Sequence, residues 1–177
     1  MTNERLFFAL GASEAEGCTG DSEALLVLKN GCRSFGKPVP DNNLHLTLAF
    51  LGNVSGIQKS ALVTEVGKMR FKQFSVSAEK VALWTRSGIL RLDTSLPDTL
   101  GSLSASLHSL AVKCGIAVET RQYHPHFTLC RKAHDGNWPQ PEMPLRFTFS
   151  EFGLYRSQPS KDGKGVIYTR LHHWPLY

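Results

Sequence analysis

Two short segments of this chain each pair a histidine with a threonine two residues further on. One segment reads HLTL at positions 45–48 and the other reads HFTL at positions 126–129. Because side chains alternate between the two faces of a strand, His45 shares a face with Thr47, and His126 shares a face with Thr128. The apolar residues between them fill the opposite face. Two such strands predict two halves of the chain that face each other across one site.

An imidazole and a hydroxyl from each half supply what displacement at a phosphodiester requires. The reaction needs a base for the nucleophile, an acid for the leaving oxygen, and donors for the phosphoryl oxygens. The ordinary pKa of histidine is about 6.5, so one imidazole can be neutral while the other carries a proton. Threonine hydroxyls can donate to phosphoryl oxygens. A lone strand histidine more often packs than reacts, but the repeated pattern makes a catalytic role as good an interpretation as a packing role.

The elements around the two motifs repeat as well. A strand and then a helix precede each motif strand, at 5–10 and 21–34 before the first, and at 89–93 and 98–113 before the second. A further helix is predicted at 57–71, with strands at 74–84, 145–155 and 166–173. We therefore predict an α+β fold with two pseudo-symmetric lobes of antiparallel β-sheet, helices on the outside and an active-site cleft between the lobes. Residues 1–177 would form this single bilobal domain.

Composition and charge narrow the class of protein. The chain has 177 residues, of which 41% are hydrophobic and 20% charged, as in ordinary globular domains. Its formal net charge of +5 suits an anionic partner such as a nucleic acid. The four cysteines form no Cys-x-x-Cys and have no zinc-site spacing. The first apolar stretch is too short for a signal peptide, and no run reaches membrane-spanning length, so we expect a cytoplasmic protein.

Several side chains near the motifs are candidates for substrate contacts. Arg131 directly follows the second motif and is the next candidate for a phosphate contact, although strict alternation places it on the face opposite His126. The same alternation places Phe50 in the core rather than against a nucleobase. His124 makes a His-x-His with His126, but no obvious carboxylate or thiol partner completes a metal site. Three residues near loops either line an RNA groove or serve packing and solvation: Trp84, Arg86 and Tyr155.

The motif segments and their flanks resemble the signature of the two-histidine (2H) phosphoesterase superfamily. The resemblance is carried by HLTLAFLG at 45–52 and HPHFTL at 124–129. It extends over nearly the whole chain, through RLFFAL at 5–10 and FGLYRS at 152–157. The match is closest to the bacterial 2′–5′ RNA ligase-like branch, the RNA 2′,3′-cyclic phosphodiesterases. Neither motif departs from the family pattern.

The resemblance implies a reaction and a role for each motif residue. The reaction is hydrolysis of a terminal 2′,3′-cyclic phosphate to a 2′-phosphomonoester without a metal ion or other cofactor, with a weak reversible 2′–5′ joining of RNA ends. By resemblance, His45 is the general acid that protonates the departing 3′-oxygen, and His126 is the general base that activates water. Thr47 and Thr128 would bind the phosphoryl oxygens. The residues themselves do not distinguish the two imidazoles.

The expected partner is RNA with 2′,3′-cyclic phosphate ends, such as tRNA fragments, or a cyclic nucleotide. We expect the protein to act as a monomer and to bind no membrane. Two alternatives stay open. One is a 2H phosphodiesterase for a small cyclic nucleotide, and the other is an RNA-binding module that holds a phosphate without turnover. Intact histidines and threonines in both motifs count against the second alternative.

Overall fold

The structure, a computed structural model, describes residues 3–177. The predicted domain also included residues 1 and 2, which lie outside the described residues. In chain order, the strands are β1 (Glu4–Gly11), β2 (Cys18–Gly20), β3 (Lys37–Pro38), β4 (His45–Val54), β5 (Phe74–Trp84), β6 (Ile89–Thr94), β7 (His126–Arg131), β8 (Leu145–Phe149), β9 (Glu151–Pro159) and β10 (Val166–Pro175). The helices are α1 (Ser22–Gly31), α2 (Gly56–Val66) and α3 (Asp98–Lys113).

All ten strands belong to one antiparallel sheet. Nine of them follow the order β10-β9-β1-β4-β7-β6-β5-β8-β2, and β3 pairs with β7 off this path. The two motif strands, β4 and β7, are neighbours at the centre, where Leu46 lies opposite Phe127. The predicted α+β class with an antiparallel sheet and outer helices is therefore confirmed.

The two halves of the sheet mirror each other about this centre. On one side β4 is followed outward by β1 and β9, and on the other side β7 is followed by β6 and β5. The helices tie the halves together, because α3 packs against β4 and α1 packs against β8. Each of these helices thus packs against a strand of the other half. This packing of helices across the two halves holds the halves in a fixed relative position, and with them the two motif strands.

The core lies on the helix-covered face of the sheet. The apolar residues within the motifs are fully buried there: Leu46, Leu48, Phe127 and Leu129, each with 0% of its surface exposed. Three helix residues pack into the same core, namely Leu62 of α2 and Leu103 and Leu107 of α3. The histidines and threonines of the motifs are left on the opposite, helix-free face, as the strand alternation predicts.

Each motif strand contains one extra residue, a β-bulge, directly after its motif threonine. In β4, successive β1 residues pair with Thr47 and then Ala49, so Leu48 is skipped. In β7, successive β6 residues pair with Thr128 and then Cys130, which skips residue 129. A β-bulge of this kind puts two consecutive residues on one face and reverses the alternation beyond it. The same irregularity therefore occurs at the same place in both halves.

The carbonyl groups at the two bulges have partners elsewhere in the fold. The hydroxyl of Ser104 on α3 donates to the Leu48 carbonyl at 2.6 Å, in a buried position. In the second half, the backbone N–H of Val39 donates to the Leu129 carbonyl at 3.0 Å. Because a buried carbonyl without a partner is costly, these contacts hold the bulges in place.

Some element boundaries differ from the sequence prediction. The predicted strand at 145–155 is wrong as a single strand, since it divides at Ser150 into β8 and β9, which lie in opposite halves. At this point the chain passes from one half of the sheet to the other. The Ser150 carbonyl accepts from the Leu176 N–H at 2.7 Å, and the Ser150 N–H donates to the Gly17 carbonyl at 2.9 Å. The short strands β2 and β3 were not predicted. Within residues 3–177, no helix combines the length and apolar character needed to cross a membrane.

Candidate active site

The first histidine is held in one orientation by its own strand and the residues before it. His45 Nδ1 donates to the Asn43 carbonyl at 2.6 Å, and a carbonyl can only accept, so Nδ1 carries the proton of the neutral ring. Nε2 then accepts from the Thr47 hydroxyl at 2.9 Å. The motif therefore aims the basic nitrogen of His45 along its own strand face, toward its threonine.

The segment that leads into β4 is fixed by a buried lysine. Lys29 of α1 is 3% exposed. It donates to the Val39 carbonyl at 2.9 Å and pairs with the Asp41 carboxylate. Asn43, two residues later, donates through Nδ2 to the Val166 carbonyl at 2.7 Å. These contacts anchor the backbone that receives the His45 hydrogen bond.

The second histidine repeats this geometry. His126 Nδ1 donates to the His124 carbonyl at 2.7 Å, which leaves Nε2 free to accept or donate on the helix-free face. Both imidazoles thus bond through Nδ1 to the carbonyl two residues earlier. The single β4–β7 bridge brings the two motifs side by side in antiparallel directions. In this antiparallel register, His45 is the cross-strand neighbour of Thr128, and Thr47 is the cross-strand neighbour of His126.

The surroundings of both rings favour the neutral imidazole. Burial lowers the pKa of His45 to about 4, and the charges of His126 and Arg131 act in the same direction. Burial also lowers the pKa of His126, and the charges of His124 and Arg91 act in the same direction. Within each ring, the hydrogen bond to the backbone carbonyl opposes part of this shift. The charge of His126 therefore reaches the His45 ring and influences its protonation.

Arg131 lies on the same face as the histidines, contrary to strict alternation. The bulge keeps Leu129 and Cys130 both fully buried in the core, and Arg131 is therefore turned outward and exposed. Its charge reaches His45 across the β4–β7 bridge, as the pKa of that ring records. The structure thus brings Arg131 together with the four motif residues.

Phe50 is the counterpart of Arg131 in the first half, and its predicted core position is wrong. The β4 bulge buries Leu48 and Ala49 in succession, so Phe50 turns to the helix-free face with 59% of its surface exposed. Its ring lies 6.1 Å from that of Phe7, which in turn lies 5.1 Å from the His45 ring. Two tyrosines extend this cluster behind Phe7: Tyr155 and Tyr168.

The three residues considered from the sequence as possible RNA-groove residues lie at different distances from the motifs. Trp84 lies edge-on to His126, with ring centroids 4.7 Å apart. Tyr155 is 5% exposed, and its hydroxyl donates to Glu16 at 2.8 Å, so it supports the aromatic cluster from behind. Arg86 is exposed in the turn between β5 and β6. Of the three, only Trp84 contacts a motif residue.

Sequence reasoning missed two charged residues on β6. Asp93 pairs across the strands with His126, and Arg91 pairs with Thr128, so both lie on the face of the motifs. The signal was present in the alternation at 89–93, where the charged residues Arg91 and Asp93 alternate with the buried residues Leu90 and Leu92. Its meaning depends on which strand lies next to β7, and that pairing is not local in sequence.

His124 does have a carboxylate partner, which lies on β6 and was not recognised from the sequence. His124, which we considered with His126 as a His-x-His pair, places its Nε2 at 2.8 Å from Asp93 Oδ1. No group of three or more His, Cys, Asp or Glu side chains able to hold a metal ion occurs in the part of the chain that the structure describes.

Comparison with known proteins agrees with this arrangement. A family model described as LigT like Phosphoesterase matches residues 20–91. The chain is 36% identical over 143 residues to the RNA 2′,3′-cyclic phosphodiesterase of Escherichia coli (strain K12), an alignment that covers 80% of each protein. It superposes on a crystal structure of a phosphoesterase with a TM-score of 0.86 and 32% identity over 98% of both chains.

A second solved structure is the E. coli LigT protein in complex with 3′-AMP. It matches with a TM-score of 0.80 and 30% identity, covering 99% of both chains. Family-level sequence identity and a shared fold therefore extend over the region that contains both motifs. The chain belongs to the LigT-like phosphoesterase family of the two-histidine superfamily.

Proposed function

We propose that this protein is an RNA 2′,3′-cyclic phosphodiesterase that opens a terminal cyclic phosphate to a 2′-phosphomonoester. The observation that carries the proposal is the pair of adjacent motif strands, each with an imidazole held through Nδ1 and an Nε2 on the helix-free face beside a threonine. The family relatives named RNA 2′,3′-cyclic phosphodiesterase support the choice of substrate.

In the proposed mechanism the two imidazoles act on opposite oxygens of one phosphorus. His126 takes a proton from water as the water attacks phosphorus, and His45 gives a proton to the departing 3′-oxygen. The 2′-oxygen stays bonded to phosphorus, so the product is a 2′-phosphomonoester. Thr47 and Thr128 donate to the phosphoryl oxygens, where negative charge grows in the transition state. The two histidines supply acid and base, so the proposed reaction needs no metal ion or cofactor.

The lowered pKa values add a condition to this mechanism. Both imidazoles are neutral in the free protein at pH 7, while the acid must carry a proton. The cyclic phosphate is an anion, and an anion bound between two imidazoles raises their pKa values. Substrate binding therefore draws one proton into the site. Ligation would use the same groups with their roles exchanged.

The two bulges give the cleft unlike sides. Phe50 offers an exposed aromatic face on one side, suited to stacking on a nucleobase. Arg131 offers a cation on the other side, suited to a phosphate. We propose that the terminal base lies toward Phe50 and that Arg131 contacts the phosphate group.

Other parts of the proposal concern the setting of the reaction. Both motifs come from one chain, so a monomer suffices to form the site. All four cysteines are free thiols, which fits a reducing cytoplasm: Cys18, Cys32, Cys114 and Cys130. The formal charge of +5 fits an RNA end as the partner.

Turnover of a short RNA ending in a 2′,3′-cyclic phosphate tests the proposal. Wild-type protein is expected to open the ring, whereas His45→Ala and His126→Ala are each expected to lose activity by several orders of magnitude, because acid and base act as a unit. His173→Ala, on the exposed edge strand β10, is the matched control and should retain activity. Near wild-type rates in either motif variant would refute the mechanism.

A further inference from the structure

Two charged side chains on β6 break the symmetry between the two histidines. Asp93 lies directly across from His126, and Arg91 lies two residues away on the same face. The matching positions on β1, beside the first histidine, hold only Gly11 and Ala9. Strand β6 therefore supplies an ion pair where β1 supplies no ionisable side chain. In the first half, the space over Gly11 is filled instead by the side chain of Glu16, which follows β1 in the chain.

The ion pair is largely buried. Arg91 is 8% exposed, and its Nε lies 2.8 Å from Asp93 Oδ1, although the N–H does not point along this contact. Its Nη2 donates more weakly to Asp93 Oδ2 at 3.4 Å, and Nη1 has no acceptor among residues 3–177. The guanidinium lies 4.2 Å above the Trp84 ring. Burying a cation with so few partners is costly, so packing alone does not account for it.

Both members of the pair are connected to His126. The Trp84 ring beneath Arg91 meets the His126 ring edge-on at 4.7 Å. Asp93 Oδ1 accepts from His124 Nε2 at 2.8 Å, and the carbonyl of His124 accepts from His126 Nδ1 at 2.7 Å. The carboxylate thus fixes the residue that orients the catalytic ring, in addition to facing that ring across the strands.

We propose that Arg91 and Asp93 are positioning residues that keep His126 oriented and neutral, ready to act as the base. Asp93 holds His124 in place, and Arg91 offsets the charge of that carboxylate so that it does not fix a proton on His126. The inference rests on the proposed function, since it specifies how one of its two histidines is prepared.

The charges that face His126 determine the expected behaviour. Arg91 and Asp93 face it from β6 and His45 from β4, while His124 and Arg131 flank it along its own segment. Of these groups only Asp93 is negative. Without Arg91, this carboxylate would attract a proton to His126, and without Asp93, the remaining cations would repel one.

Proton NMR of the histidine rings in the whole protein tests this inference directly. Arg91→Gln is expected to raise the pKa of His126 by about one unit, the lower end of the shift that a nearby charge produces. Asp93→Asn is expected to shift it in the opposite direction. Arg91→Lys keeps the charge and should leave the pKa near that of the wild type. The His126→Ala spectrum identifies the resonance.

A matched control and a double variant exclude a merely structural effect. Arg70→Gln removes another arginine that lies over an aromatic ring, at 5.5 Å from the centroid of Tyr177, and should leave the His126 pKa unchanged. Loosening of the fold would move the pKa in the same direction in both single variants. The double variant of Arg91→Gln with Asp93→Asn should return it toward the wild-type value.

An unchanged His126 pKa in both single variants, or shifts of the same sign, would overturn the inference. If Arg91→Gln does not fold, two variants still test the inference. Asp93→Asn should lower the His126 pKa, and Arg91→Lys should leave it unchanged. The titration needs no substrate. Its failure therefore leaves the proposed reaction standing, and absence of turnover by the wild-type protein would leave the titration result standing.

Discussion

The two lowered pKa values predict an unusual dependence of catalysis on pH. In the proposed mechanism, the reactive form of the free enzyme carries one proton on the histidine pair. Burial, together with neighbouring positive charge, lowers the pKa of His45 to about 4 and the pKa of His126 in the same direction. Raising the pH above 6.5 therefore removes the one proton that the reaction needs. At pH 7, three units above its pKa, His45 is protonated in only about one molecule in a thousand.

The size of the effect follows from these values. The parameter kcat/KM reports the ionisation of the free enzyme, so it should fall close to tenfold for each pH unit above about 6.5. Between about pH 6.5 and 8.5 the expected fall is roughly 30- to 100-fold. Its maximum lies on the acid side of the ordinary histidine pKa. Because the two rings interact, the profile describes the pair rather than either ring alone.

The assay is the initial rate with a nucleoside 2′,3′-cyclic phosphate well below KM, measured across this range in buffers of constant ionic strength. The substrate is a diester monoanion throughout, so the enzyme alone titrates. At saturating substrate, kcat should decline at a higher pH, because the bound anion raises the pKa of the imidazoles. A kcat/KM that is level or rises between pH 6.5 and 8.5 would refute the reasoning. Circular dichroism at each pH provides the control for folding.

Two further substitutions test the features that the bulges create. Phe50→Ala should raise KM for a cyclic-phosphate RNA by about fivefold to 150-fold, since stacking on a base contributes ~1–3 kcal/mol. Ile57→Ala, also exposed and apolar but on α2, should leave KM unchanged in the same rate assay. Ser104→Ala removes the donor to the Leu48 carbonyl and should lower the free energy of unfolding by about 1–3 kcal/mol in denaturant titrations. Ser102→Ala, exposed on the same helix, should have little effect, and equal losses in the two serine variants would contradict this role for the bulge contact.

The motif face could be predicted from the sequence, because it depends only on local alternation. His45 and Thr47 lie where the period of two places them, as do His126 and Thr128. The repeated pattern also predicted that both motifs contribute to one site between two pseudo-symmetric halves. Each of these inferences uses residues within a few positions of one another.

The positions of Phe50 and Arg131 could not be predicted by alternation, because one extra residue in each strand reverses it. A hint lies in the sequence, where two apolar residues follow each motif threonine: Leu48 and Ala49, and Leu129 and Cys130. The division of the segment 145–155 between two halves of the sheet was equally hidden. Strand pairing sets such features, and pairing joins residues far apart in the chain.

The role of Arg91 and Asp93 was hidden for the same reason. Their alternation with Leu90 and Leu92 identifies the face on which they lie, but only the pairing of β6 with β7 brings them to His126. The ionisation behaviour of the site also depends on this non-local packing. Burial lowers the pKa of both histidines, and no local pattern reports how deeply a strand will be buried.

The position of the phosphate in the product tests the central claim most directly. A short RNA with a terminal 2′,3′-cyclic phosphate is incubated with the wild-type protein in the presence of a chelator, and the product is compared with 2′- and 3′-phosphate standards by phosphorus NMR. Acid–base catalysis by His45 and His126, with the 3′-oxygen as leaving group, predicts a 2′-phosphate formed at the same rate with and without the chelator. A 3′-phosphate product, or activity that disappears until a metal ion is restored, would contradict the account.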